Sequence, residues 1–392
     1  MIVALATSAL AWIPSLHAQG LPQTAVLSEP SVPSVPPPAT TSQATPIALR
    51  PDLFSISGFG TLGVTHSSLR SADYTNTAFE PNGAGHSRRY DFADASIIGV
   101  QLMARMTDKL SAVLQIVSQH SYDNSFTPHV EWANIKYAFT PNFDVRVGRV
   151  ELPTFANSDF RNVGYANPWV RVPVEVYNND PVTNSDGIDT SYRFGLGAVT
   201  NTVHIVYGVS KFHGTPGPIR AKASNVVGVF DTVEYGFFTG HAGYTHANIT
   251  LDGAPAGYAF QGASSYSVAA AYDPGQWFVQ AELARVTVAQ ITPGYINGYL
   301  TAGYRIAAFT PYVTYSQSHS LGHSTISGDM NKGQKEASIG VRWDFARNFD
   351  VKAQYDHLWL PQNSTGSLSN IQPDYKLGSG TDVFSVTLDF VF

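Results

Sequence analysis

Apolar and polar residues alternate in short segments from Leu53 to the end of the chain, most cleanly in the last one. There Phe384, Val386, Leu388, Phe390 and Phe392 share one face of a period-two strand, and Val383, Ser385, Thr387, Asp389 and Val391 share the other. The strand is read as running to the C-terminus at Phe392 with no charged or flexible tail expected behind it. An unpaired apolar edge of this kind invites aggregation in water. A barrel that seals its last strand against its first has no such edge and can turn its apolar face to lipid.

The same alternation predicts strands over 53–66, 91–106, 110–120, 129–140, 144–150, 187–197, 202–211, 223–232, 236–250, 263–273, 276–288, 298–308, 311–320, 335–346, 348–360 and 381–392. Their connections alternate in length. Short ones fall near 107–109, 141–142, 199–201, 233–235, 274–275, 309–310 and 347; long ones near 67–90, 121–128, 151–186, 212–222, 251–262, 289–297, 321–334 and 361–380. Tight turns on one side and longer loops on the other are what a transmembrane antiparallel β-barrel of sixteen strands requires. Trp277 and Trp343 beside short turns, and Trp359 and Trp132 near loop ends, fit two interfacial aromatic belts.

Composition agrees with an all-β membrane protein. No run of eighteen apolar residues follows residue 20, so helical spans are excluded. The mean hydropathy of −0.07 is compatible with barrel strands, whose lipid-facing and lumen-facing residues average out. There is no cysteine among 392 residues, and a formal charge of −6 argues against a nucleic-acid partner. Residues 1–20 hold the short apolar run Ile2–Ile13 and then Ser15-Leu16-His17-Ala18, which reads as a signal peptide. Residues 21–50, rich in Pro, Ser, Thr and Ala, read as a disordered periplasmic leader, leaving 51–392 for the barrel.

A barrel this wide holds water rather than packed side chains. Alternation turns Lys136, Arg146, Arg193, Arg305, Arg342 and Lys352 toward the lumen, with Asp344, Asp350 and Gln354. A cation in lipid instead would cost ~2–4 kcal/mol at the midplane. The connection 151–186 is too long for an ordinary loop. Folded inward as the third long loop, it would narrow the channel and carry Asp159, Arg161, Arg171, Glu175, Asp180 and Asp186 to a constriction. Opposite charges ~10 Å apart across it would interact by roughly 1–2 kcal/mol at an effective dielectric of 20, enough to bias ion passage.

With a signal peptide before it, a sixteen-strand pattern, a long third loop and terminal Phe392, the segment 51–392 resembles the Gram-negative porins; Val147-Gly148-Arg149 before the loop is similar to their Gly-Arg. The resemblance implies a homotrimer in the outer membrane, in contact with its lipid and lipopolysaccharide, with the third loop constricting each pore and Phe392 serving assembly. The loop lacks the Pro-Glu-Phe-Gly-Gly motif of enteric general porins. The expected function is passive diffusion of small hydrophilic solutes and ions, with no reaction, cofactor or metal. Besides a secreted β-sandwich adhesin, which would be soluble without detergent, two rivals stand beside it. One is a substrate-specific channel in which Trp169, Tyr165 and Tyr177 stack on a sugar or an aromatic or organic acid. The other is a barrel hydrolase using His319 near Ser316 and Ser318.

Overall fold

The computed structural model describes residues 53–77, 80–178, 182–214, 219–252, 261–289, 292–322 and 333–392. The expected signal peptide and leader lie outside these residues, as does Asp180. Sixteen strands form one closed antiparallel barrel. They are β1 Phe54–Ser67, β2 Ile97–Arg105, β3 Leu110–Gln119, β4 His129–Thr140 and β5 Phe143–Glu151. Next come β6 Asn184–Leu196, β7 Val199–Gly214, β8 Ile219–Tyr235, β9 Phe238–Leu251, β10 Gln261–Tyr272 and β11 Trp277–Val288. The last five are β12 Thr292–Tyr304, β13 Phe309–Ser320, β14 Gln334–Ala346, β15 Phe349–Trp359 and β16 Thr381–Val391. Each predicted strand has its counterpart in this order.

Closure joins β1 to β16 in register from Phe59–Val391 to Ser67–Val383. Phe392 extends the seam through two backbone bonds with Gly58, each 3.0 Å. The Phe392 and Phe390 rings lie over Gly58 and Gly60, where a Cβ would collide with them. Aromatic cover of strand glycines pins the register of such a seam.

The two faces sort as the alternation requires. Ile339, Trp343, Phe345, Phe349, Tyr355, Phe384 and Trp359 are exposed on the outside. Ser385, Thr387, Asp389, Asp350 and Lys352 are buried inside. A closed barrel wearing an apolar girdle over polar contents has the surface of a membrane-spanning protein. Tyr192, Tyr235, Phe238, Tyr272, Trp277, Tyr304, Phe309 and Trp343 ring the short-turn end. Several of those turns use left-handed residues, among them Gly236 at φ +57 and Asn348 at φ +66. Trp132 differs from expectation: it lines an interior cavity with Phe59, Gln115 and Glu131.

Three boundaries moved for physical reasons. Strand β2 begins at Ile97, because side chains capture the preceding backbone: Asp91 accepts from the Ala93 N–H at 2.7 Å and Ser96 donates to the Phe92 carbonyl at 2.6 Å. Strand β12 runs from Thr292 to Tyr304: Gly298 interrupts the apolar pattern yet keeps its ladder pair with Leu283, and the register shifts beside Gly294 before the strand resumes at Thr292. Strands β5 and β6 reach Glu151 and Asn184, which shortens the third loop to 152–183. The apolar clusters of the interior are built by loops against the wall. Residues of the third loop pack on β11–β13, and Ala72, Tyr74, Leu360 and Leu368 of two other loops pack on Leu358 and Val383.

Candidate functional site

The third loop folds into the barrel and is fastened to its inner wall at several points. Near its start the Thr154 carbonyl accepts from Ser267 of β10 at 2.5 Å. Glu282 of β11 then receives the Ala156 N–H at 3.0 Å and the Tyr177 hydroxyl at 2.9 Å, so one carboxylate grips both limbs of the loop. Both are interior by the alternation of Val279, Ala281 and Leu283 with Gln280 and Glu282.

Trp169 is buried edge-on to Tyr299, and its indole N–H is shared by Thr301 at 3.1 Å and Thr314 at 3.0 Å. A buried indole needs such a partner. Trp169→Phe keeps an aromatic ring but removes the N–H and leaves the two hydroxyls only each other, at 2.8 Å, so it should lower stability by about 1–2 kcal/mol in detergent melts.

Arg171 is the most connected residue of the loop. Its Nη1 donates to Asp356 of β15 at 3.2 Å and to the Tyr74 hydroxyl at 3.3 Å. Its Nη2 donates to Thr65 of β1 at 3.1 Å and Ser385 of β16 at 2.7 Å, with Asp94 at 3.8 Å. Glu175, in the short helix α1 Val174–Tyr177, accepts from Ser316 and Gln334, both at 2.6 Å.

Burial holds the Glu175 carboxyl above its ordinary range, and Asp356 adds repulsion. The unfolded chain ionises this group near pH ~4.3 while the folded chain keeps its proton longer. The contribution of this group to stability therefore falls as pH rises above that value. Glu175→Gln removes the fall, so the variant's melting advantage should widen between pH 4 and 8; a constant gap would contradict the assignment.

The middle of the loop rests on a charged seat. Lys352, fully buried, donates to the Gly164 carbonyl at 2.6 Å and pairs with Asp389 at 3.2 Å and Asp350 at 3.8 Å. Asp389 also accepts from Thr61 at 2.5 Å. Arg342 donates to the Tyr165 and Asn167 carbonyls at 2.6 and 3.2 Å, and pairs with Asp344 and Asp350. A side chain at position 164 would strike Asp389 and Thr61, so only glycine lets the backbone sit there.

Opposite this seat the loop crosses toward β3 and β4. Asp159 is exposed, and Arg161 reaches Glu131 at 3.7 Å. Beyond them the wall carries Lys136 with Asp144 at 3.5 Å, Arg193 with Glu234 at 3.1 Å, and Arg146 with Asp189, which His204 also approaches at 3.4 Å. Near the short-turn end Arg305 pairs with Asp273 at 2.7 Å. All six wall cations thus have carboxylate partners, and the mainly basic wall is in fact a set of ion pairs. Among the described residues no group of three or more His, Cys, Asp or Glu could hold a metal.

No family model and no curated protein matches this chain. Solved structures do. OmpF of Salmonella typhi, in complex with daunomycin, is 15% identical with a TM-score of 0.57, covering 86% of this chain and 97% of that one. An anion-selective porin from Comamonas acidovorans is 13% identical with a TM-score of 0.56, covering 86% and 100%. The chain has the porin fold. An outer-membrane protein of Vibrio cholerae, OmpT in its trimer form, is 13% identical with a TM-score of 0.53, covering 87% and 100%.

Within this porin fold the predicted site residues separate by role. Asp159 and Arg161 stand in the lumen. Arg171 and Glu175 are buried tethers, since the wall offers each of them polar partners. Asp186 belongs to β6, on the outward face with Ile188 and Tyr192, and is gripped by Arg149 at 2.7 and 2.9 Å. His319 lies on the opposite face of β13 from Ser316 and Ser318, which bond instead to Glu175 and Asn297.

Proposed function

We propose that this chain is a porin of the Gram-negative outer membrane, a passive channel for small hydrophilic solutes and ions. It catalyses no reaction, needs no cofactor, and works as a homotrimer among outer-membrane lipid and lipopolysaccharide. One observation carries the reading: a third loop tethered inside a closed barrel, its middle laid over Lys352 and Arg342 and its tip carrying Asp159 into the lumen. A fixed loop of this kind narrows a pore, and charges beside it bias what passes.

A solute-stacking channel is less well supported, because Trp169 and Tyr177 are buried against the wall and Tyr165 covers Arg342 at 4.7 Å. A hydrolase would need His319 and its serines on one face. The decisive experiment is planar-bilayer recording of the purified chain. Stepwise ohmic currents that no single sugar or organic acid saturates are expected, and silent bilayers would end the proposal.

A further inference from the structure

Strands β7 and β8 put Lys211 directly opposite Lys222, and His213 directly opposite Arg220. Register partners share a face of the sheet. Here it is the outer one: Ile205, Tyr207 and Val229 are exposed on it, while Val206 and Phe230 are buried on the other. A bulge makes the arrangement. The register shifts between Ala223 and Val226, with Asn225 at φ +50. The extra residue sends Ala223 inward onto Val150 and Val206 and turns Lys222 outward. Bulges commonly re-aim side chains in this way.

Two like charges opposite each other destabilise a sheet. Among the described residues neither lysine forms an ion pair: Asp186, the carboxylate that Lys211 acts on, is gripped by Arg149, and Asp252 lies beside Arg220, its N–H on the Arg220 carbonyl at 2.9 Å. The wider surface repeats the theme. Arg149, Lys211, Arg220, Lys222, Arg285 and Lys335 are the strand cations that alternation turns outward among the described residues, and each lies within three residues of a long-loop end. At that depth a cation costs only ~0–1 kcal/mol against lipid, and anionic headgroups lie within reach.

We propose that Lys211 and Lys222, flanked by Arg220 and His213, bind the phosphate of a lipid headgroup in the leaflet at the long-loop end. The site rests on reading the chain as an outer-membrane barrel with its long loops outside. Two ammonium groups converging on one phosphate turn a repulsive pair into charge-assisted bonds. Tyr207, two turns of the pleat below, offers its ring to the sugar and acyl boundary.

The test uses the full chain in detergent with three probes: diphosphorylated lipid A, the same glycolipid after dephosphorylation, and inorganic phosphate. Native mass spectrometry should show the diphosphorylated lipid retained at least tenfold better than the dephosphorylated one. Lys211→Gln with Lys222→Gln should abolish that preference, whereas Arg285→Gln should keep it. In detergent alone the double variant should melt no lower than wild type, which separates lipid loss from misfolding. Undiminished lipid retention by the double variant would overturn the site. So would displacement of the lipid by millimolar inorganic phosphate, which would make this a free-anion site. Bilayer currents run on the same samples judge the channel reading separately, since binding at the outer face does not depend on conduction.

Discussion

Arg171→Ala should free the upper limb of the third loop and destabilise the barrel by about 3–5 kcal/mol, the usual cost of breaking a buried ion pair. The guanidinium is nearly enclosed and holds Asp356, itself fully buried, at 3.2 Å, with Thr65, Ser385 and Tyr74 around the same group. Alanine leaves the Asp356 carboxylate without its cation and three hydroxyls with one partner fewer. The substitution also unlinks two loops, because Asp94 and the Tyr74 ring, 5.1 Å from the guanidinium, belong to the first one. Single-channel records should turn from quiet to flickering, with a higher mean current, and the detergent melt should drop. Arg171→Lys keeps the charge and loses the fork, so it should recover only part of both. Quiet currents and an unmoved melt in Arg171→Ala would mean that Glu282, Trp169 and Lys352 hold the loop without it.

The contrast between Lys352 and Arg171 shows where the sequence is legible. In β15 the run Phe349, Val351, Ala353, Tyr355 fixes one face as outward, so Asp350, Lys352 and Gln354 must point in. Each inward residue of a strand inherits its direction from its neighbours. Glu282 and Gln280 were readable by the same rule. A loop has no period, and its partners are remote: Arg171 meets Asp356 and Ser385, 185 and 214 positions away. Nothing local marks Arg171 or Glu175 as tethers, and their charge alone pointed to the constriction. Asp186 was misplaced for a smaller reason, since three extra ladder pairs at the root of the loop drew it into β6. The outward turn of Lys222 and Arg220 depends on one bulged residue near Asn225, which shifts the parity of everything before it in β8. Alternation read as unbroken cannot anticipate that step.

Asp159→Lys should move the reversal potential toward anions in a salt gradient, and by more than any other single loop substitution. Asp159 is exposed and lines the same cavity as Glu131 and Glu151, whereas the other loop charges are committed to partners. The exchange alters local charge by two units. Across ~10 Å at an effective dielectric of 20, each unit is worth roughly 1–2 kcal/mol, about tenfold in relative ion occupancy. Screening supplies the internal control. The Debye length is about 10 Å at 0.1 M salt and about 3 Å at 1 M, so the shift should be large in dilute salt and shrink in concentrated salt. Arg342→Gln should behave differently: its partners are Asp344, Asp350 and two loop carbonyls, so it should loosen the loop and add noise with a smaller change in selectivity. A reversal potential indifferent to Asp159→Lys at 0.1 M would place the conducting path away from the loop tip. A shift that persisted undiminished at 1 M would point to a rearranged pore rather than to the charge itself.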